Sequence, residues 1–252
     1  MRALITGASA GLGREMAKIL SGMGYELTLV ARREDRLRTL AASLPTVCHI
    51  IAADVSDAAE CRLLYEATRG EDLDIVINNA GFGLFGDFLI TDLDDELRMI
   101  DTNIRAVHIL TKLFARDFVG RGHGYILNVA SSAGYLPGPL MATYYATKNY
   151  VLRLTQALRE ELRHKKSPVK VCALCPGPVN TEFNKVAGVK FALGGLSCER
   201  VAKEAIIGMF AGKAEIVPGV PMKAMTVARH FAPDWLLARI TYHFQGKKAD
   251  GK

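Results

Sequence analysis

The start of this chain constrains its fold most. An apolar run, Arg2–Thr6, passes directly into Gly7-Ala8-Ser9-Ala10-Gly11-Leu12-Gly13, and a helical pattern follows from Leu12 to Met23, stopped by Gly24. Glycines let a strand turn sharply into a helix and let the backbone approach a ligand closely. The helix behind such a turn presents N–H groups and the positive end of its dipole to an anion. The opening therefore reads as strand, phosphate-cradling loop and helix, the first half of a βαβ unit.

The rest of the chain repeats that alternation. Apolar runs at Tyr25–Ala31, Val47–Ala53, Leu73–Ile77, Tyr125–Val129, Val169–Leu174 and Glu215–Val217 bring the expected strands to seven. Between them, helical patterns cover Glu34–Leu44, Asp57–Thr68, Asp92–Met99, Ile104–Val119, Thr143–Lys165 and Ser197–Ala211. Strands that are apolar throughout are buried on both faces. Such strands alternating with helices give a mostly parallel sheet covered on both sides. Right-handed crossovers favour the doubly wound arrangement. The fold class is thus α/β, with residues 1–221 as the catalytic body. Residues 222–252 form a helical extension of the same domain, broken at Pro233.

Composition excludes several classes. Half of the 252 residues are hydrophobic, enough for a large core. No apolar run reaches the roughly 18 residues of a transmembrane helix. The first residues do not read as a secretory signal, and the five Cys lack disulfide-framework spacing, so a cytoplasmic location is expected. Cys172-Ala-Leu-Cys175 lies inside an apolar strand with no second ligand pair, and the six His are scattered, so no metal is expected. The net charge is +6, but six Lys/Arg against two Asp between Met222 and Lys252 account for +4 of it. That is a basic tail rather than the stripe of a nucleic-acid binder. Trp235, Leu236, Ile240 and Phe244 read as a packing or subunit-contact face rather than a membrane anchor.

Motifs fall at the strand ends. Asn78-Asn79-Ala80-Gly81 closes the fourth strand, and Asn128-Val129-Ala130-Ser131-Ser132-Ala133-Gly134 closes the fifth. Tyr144 and Lys148 are four apart on the long helix and share a face. Thr6-Gly-xxx-Gly-x-Gly, the Asn79 motif and Tyr144-xxx-Lys148, in that order, resemble the short-chain dehydrogenase/reductase family in its single-domain form, over about residues 2–220.

That resemblance implies a Rossmann-type domain that binds NAD(P) and exchanges a carbonyl with an alcohol. Its cofactor loop matches Gly7, Ser9, Gly11, Leu12 and Gly13. Asp54 and Val55 match adenine-contacting positions, and Asn79, Ala80 and Gly81 match the loop over the nucleotide. Pro176, Gly177, Val179 and Thr181 match the segment that holds the nicotinamide carboxamide. Pro178 is locally unusual there, removing one backbone donor. Ser131, thirteen residues before Tyr144, matches the serine that binds the substrate oxygen. Ser132 is adjacent, but the spacing and Gly134 favour Ser131. Tyr144 is the expected general acid/base. Lys148 is expected to lower the Tyr144 pKa and to bind the nicotinamide ribose. Asn103 matches the helix asparagine of a water-mediated proton relay.

Cofactor preference is read from the end of the second strand, Val30-Ala31-Arg32-Arg33. An acid there accepts from a ribose 2′-hydroxyl. Arg32, with Arg33 beside it, would instead hold a 2′-phosphate. NADP(H) is therefore expected over NAD(H), although Ala10 stands where many NADP-dependent relatives carry a basic residue. Phe82 and Leu136 are expected against the substrate, an uncharged or hydrophobic small carbonyl. Glu182–Leu196 is expected to form a flap over it. The helices from Ile104 and Thr143 carry apolar residues on more than one face, so a homodimer or homotetramer is expected. The rivals are a non-catalytic nucleotide-binding scaffold, which would be signalled by a lost Ser, Tyr or Lys, and a nucleotide-sugar epimerase, which would carry a different glycine loop and a larger substrate domain.

Overall fold

The computed structural model describes residues 1–69, 72–179 and 195–249. The strands β1 (Arg2–Thr6), β2 (Glu26–Ala31), β3 (Cys48–Ala52), β4 (Leu73–Asn78), β5 (Tyr125–Val129), β6 (Lys170–Leu174) and β7 (Glu215–Ile216) form one sheet in the order β3-β2-β1-β4-β5-β6-β7. Every pairing is parallel. The helices among the described residues are α1 (Gly11–Gly22), α2 (Glu34–Ala42), α3 (Ala58–Thr68), α4 (Leu93–Ile100), α5 (Val107–Arg121), α6 (Ala142–His164), α7 (Cys198–Phe210), α8 (Val220–Ala228) and α9 (Asp234–Ala249).

The pleat explains the uninterrupted apolar runs. Ile5, Ile77, Leu127 and Leu174 pack with Met16 and Leu20 of α1, Leu37 of α2 and Val201 of α7. Leu4, Val76, Ile126 and Val171 of the same strands point the other way, onto Leu64 of α3 and Phe114 and Phe118 of α5. Each such side chain contributes roughly 1.5–3 kcal/mol by leaving water. Polar residues set the helix ends. Asp57 caps α3 by accepting from Ala59 N–H at 2.7 Å, and Ser197 caps α7 by accepting from Arg200 N–H at 3.3 Å. Gly122, at φ +75°, ends α5 in the left-handed conformation that favours glycine.

The helices expected over Asp92–Met99 and Ile104–Val119 are not separate. A π-helical turn, Asp101–Ala106, joins α4 to α5. Its wider ring turns Asn103 inward, where it is wholly buried, instead of leaving it exposed at a helix start.

Strand order reverses between β1 and β4, which opens a crevice at the carboxyl ends of the strands. Beneath it, buried amides and hydroxyls tie the sheet to its helices. Asn78 Nδ2 donates to Asn128 Oδ1 (2.8 Å) and to Thr111 Oγ1 (3.0 Å), and Asn128 Nδ2 donates to Thr155 Oγ1 (3.0 Å). The network links β4 and β5 to α5 and α6.

Candidate active site

One continuous cavity of about 400 Å³ fills the crevice, lined at one end by the glycine loop and at the other by Ser131, Tyr144 and Lys148. The glycine loop is built for close approach. Gly7 and Gly11 have φ of +65° and +53°. A Cβ on Gly13 would lie 2.4 Å from Gly7 O, so Gly13 sits behind the cavity wall and lets α1 close on the loop. Thr6 is a clamp that sequence reasoning did not assign. Its Oγ1 accepts from Asn79 N–H (3.0 Å) and Ala80 N–H (3.1 Å), while Asn79 Nδ2 donates to Thr6 O and Gly7 O. A hydroxyl immediately before the first loop glycine was its only signal.

Ala10, ahead of α1, supplies no side-chain cap, and the first turn of α1 holds no acid. The first-turn N–H groups therefore face the cavity without a competing carboxylate. A pyrophosphate fits there, by its charge and by the backbone approach that the glycines allow.

At the adenosine end, Arg32, Arg33, Asp54 and Val55 all line the cavity. Asp54 does not cap α3. Its Oδ1 accepts from Ser56 N–H (3.0 Å) and Ser56 Oγ (2.8 Å), and its Oδ2 lies 3.6 Å from Arg32 Nη1. Burial raises the Asp54 carboxyl, but the Ser56 bonds and the Arg32 charge outweigh it and hold the pKa below its ordinary value. Arg33 Nη2 donates to Ser9 Oγ at 3.3 Å. Both guanidinium groups thus stand over the loop end of β2.

At the other end, Ser131 follows β5 and caps a 3₁₀ turn, Ser132–Tyr135, by accepting from Ala133 N–H at 3.1 Å. The Ser131 side chain stands near enough to the Tyr144 hydroxyl to lower its pKa. Lys148 is 5% exposed, one turn along α6. Its Nζ donates to Val129 O (2.8 Å) and lies 5.9 Å from the Tyr144 ring centroid. Gly81 fits beside it because a Cβ there would lie 2.8 Å from Asn103 Oδ1 and 3.4 Å from Lys148 Nζ. Asn103 itself does not line the cavity. It accepts from Phe82 N–H (3.1 Å) and donates to Phe82 O (2.9 Å) and Thr147 Oγ1 (3.0 Å), holding the loop that carries Gly81.

The titration expected of Tyr144 is corrected. Burial pushes the phenol up to about 12, against the lowering effect of the Ser131 side chain, and neighbouring Tyr145 adds to the rise. Burial also pulls the Lys148 ammonium down to about 8, so its charge acts on the phenol only below that pH. Lys148 is therefore the group of the pair that changes charge nearer neutrality.

Other expectations separate. Asn79, Ala80, Gly81, Phe82, Pro176, Gly177 and Val179 line the cavity. Leu136 does not. It packs beside Val217 and Met225 against a cluster that includes Tyr135, Val151 and Cys175, because the 3₁₀ turn faces it away from the cavity. Met141 and Tyr145 stand in the wall instead. Thr181 and the expected flap, apart from its last residues Gly195 and Leu196, lie outside the described residues. The Tyr145 hydroxyl accepts from Gln245 Nε2 of α9 at 3.0 Å, so the C-terminal extension reaches the cavity wall. Among the described residues no group of His, Cys, Asp and Glu could hold a metal, and no helix is long and apolar enough to cross a membrane.

The sequence model of the family described as short chain dehydrogenase matches residues 1–190. The chain belongs to the short-chain dehydrogenase/reductase family. Members of this family are oxidoreductases acting on CH–OH groups of small molecules with nicotinamide cofactors. A family relative in Haemophilus influenzae, named "Probable NADP-dependent dehydrogenase", is 35% identical over 188 residues, covering 73% of this chain and 74% of its own. A family member from Sphingobium yanoikuyae, solved in complex with NADPH, superposes with a TM-score of 0.83 at 30% identity, covering 91% of this chain and 94% of its own. Another, from Burkholderia phymatum, solved in complex with NAD, gives 0.84 at 26% identity, covering 91% and 92%.

Proposed function

We propose that this protein reduces an uncharged, hydrophobic aldehyde or ketone with NADPH, or runs the reverse oxidation. The observation that carries the reading is the Ser131–Tyr144 hydroxyl pair, with Lys148 one turn on, at the far end of the cavity that begins at the glycine loop. In this reading the Ser131 hydroxyl holds the substrate oxygen and stabilises the charge developing on it. Tyr144 gives its proton to that oxygen, and its high pKa keeps the phenol protonated at neutral pH. Lys148, while charged, favours the phenolate left behind. Asn103 holds the Gly81–Phe82 loop against Lys148. The nicotinamide supplies or accepts the hydride, which no side chain can do. Gly7, Ser9, Gly11 and Leu12 would receive the pyrophosphate, Asp54 and Val55 the adenine, and Pro176, Gly177 and Val179 the nicotinamide end. Residues 1–221 are the catalytic body in this reading, and 222–252 an extension of the same domain.

Arg32 and Arg33 support the choice of NADPH. The Arg32–Asp54 pair is exposed and contributes no more than about 1 kcal/mol, so a 2′-phosphate can displace it at little cost. The NADPH complex of a 30% identical relative agrees, while the NAD complex of another keeps the alternative in the test. The experiment is kcat/KM for NADPH and NADH across a panel of aldehydes and ketones, in the natural protein and in Arg32→Asp. The expected loss for NADPH in the variant is about 2 kcal/mol, roughly 30-fold, with NADH little affected. Preference for NADH in the natural protein, or an unchanged ratio in Arg32→Asp, would reject the NADP(H) assignment.

A further inference from the structure

Behind the cavity, on the side away from the glycine loop, one carboxylate gathers donors from two other elements. Glu215 sits on β7, a strand of two residues at the sheet edge. Its Oε2 accepts from the Tyr135 hydroxyl, and its Oε1 accepts from Gln156 Nε2 at 2.5 Å. The Gln156 amide has a settled orientation, because its Oε1 accepts from Arg153 Nη1 at 2.9 Å.

Each partner leads to the reacting groups. Tyr135 is buried and ends the 3₁₀ turn that Ser131 begins. That turn lies directly on α6 at Lys148. A Cβ on Gly134 would stand 2.7 Å from Lys148 O, and Asn149 Nδ2 donates to Gly134 O at 2.8 Å. Gln156 lies two turns beyond Lys148 on the same helix. Cys175 is wholly buried, and its thiol interacts with both the Tyr135 phenol and the Lys148 ammonium. Its N–H donates to Ile216 O at 2.8 Å, beside Glu215.

We propose that Glu215 is a positioning residue for the Ser131–Tyr144–Lys148 group, fixing the Ser131 turn against α6 through Tyr135 and Gln156 and setting the electrostatic environment of Lys148 from behind. The inference rests on the function proposed above. Both donors to Glu215 are neutral, so they satisfy its oxygens without cancelling its charge. In a poorly polarisable interior that charge acts on buried neighbours. A negative charge favours the Lys148 ammonium, whose burial disfavours it. Among the described residues, the titratable groups facing Lys148 are Tyr144 on α6 and Cys175 after β6. Behind Cys175 stand Tyr135 and Glu215, with the Arg229 guanidinium 4.8 Å from the Tyr135 ring centroid. Burial pushes Cys175 up to about 12, so it stays a neutral thiol at neutral pH.

Two variants separate the charge from the tether. Glu215→Gln removes the charge and keeps the shape, whereas Tyr135→Phe keeps the charge and cuts the link to the Ser131 turn. In both, kcat should drop at least fivefold with KM for NADPH within twofold. Only Glu215→Gln should also move the alkaline limb of the kcat/KM profile toward acid, by on the order of half a unit. Glu215→Asp should restore the limb. In the protein without cofactor, NMR titration of 13C-labelled lysine, with Lys148 assigned through Lys148→Arg, should show the same acid shift in Glu215→Gln. Wild-type kcat, pH limb and Lys148 midpoint in Glu215→Gln would overturn the proposal. If that variant does not fold, Tyr135→Phe decides, and wild-type kcat in it would overturn the proposal equally. A natural protein that turns over no carbonyl with either nucleotide would reject the function instead, and the Lys148 titration would still test the role of Glu215.

Discussion

At the scale of single residues, two adjacent tyrosines divide the work. The Tyr144 hydroxyl is set beside Ser131, while Tyr145 bonds outward to Gln245 of the C-terminal helix. Tyr144→Phe should therefore lower kcat by on the order of 10²–10⁴-fold with nucleotide affinity retained, and Tyr145→Phe by far less. Comparable losses in both would remove Tyr144 from its assigned role. The pKa directions give a second expectation. Tyr144 stays protonated up to about 12, whereas Lys148 loses its charge as pH rises through about 8. Carbonyl reduction should thus hold level below that pH and fall above it. The kcat/KM profile checks this, and a limb near 10 or higher would count against Lys148 as the titrating group. Ser131, Tyr144 and Lys148 were legible as a set because sequence spacing fixes their order along strand end and helix. Their pKa values were not, because those depend on burial, which spacing does not encode. Leu136 misled for a related reason. Its distance from Ser131 in sequence is short, but the 3₁₀ turn directs it away from the cavity.

Among elements, the strand ends matter most, and the Asn78–Thr111–Asn128–Thr155 network holds two of them together below the cavity. Thr155→Val removes the acceptor of a buried Asn128 amide while keeping the volume. The cost should be about 1–3 kcal/mol, seen as a fall in Tm of roughly 2–4 °C for each kcal/mol. An unchanged Tm would mean that Asn128 finds another partner. Strands and helices were readable almost to the residue, since apolar runs flanked by Gly, Pro, Asp and Ser mark both the core and its caps. The exceptions arise from longer-range effects. The π turn at Asn103 was read as a gap between two helices, because its hydrogen bonds to Phe82 and Thr147 span 21 and 44 residues. The buried network was silent in the sequence for the same reason, as an isolated Asn in a strand does not announce its partner.

For the whole molecule, the outstanding question is what covers its exposed apolar surface. The pattern on the helices from Ile104 and Thr143 suggested a second partner, yet on α5 and α6 the large apolar side chains that remain exposed are Val119 and Tyr150. The more exposed ones stand elsewhere. Leu89 and Ile90 precede α4 at 90% and 83% exposure, and Phe231, Trp235 and Phe244 belong to the C-terminal extension. Apolar side chains exposed in such number favour association, and family members usually oligomerise. We therefore expect a homodimer or homotetramer at micromolar concentration, with the extension contributing to its contacts. Sedimentation velocity measures this directly. The double substitution Phe231→Ser and Trp235→Ser should shift the distribution toward monomer, while Leu89→Ser and Ile90→Ser report whether the α4 side belongs to the same contact. These side chains contribute little to the core, so far-UV circular dichroism should be unchanged in both variants. A natural protein that sediments as a monomer would refute the assembly. An oligomer indifferent to both pairs would return the contact to α5 and α6, where His108 Nδ1 and the Tyr150 hydroxyl, 2.7 Å apart, mark the outer face.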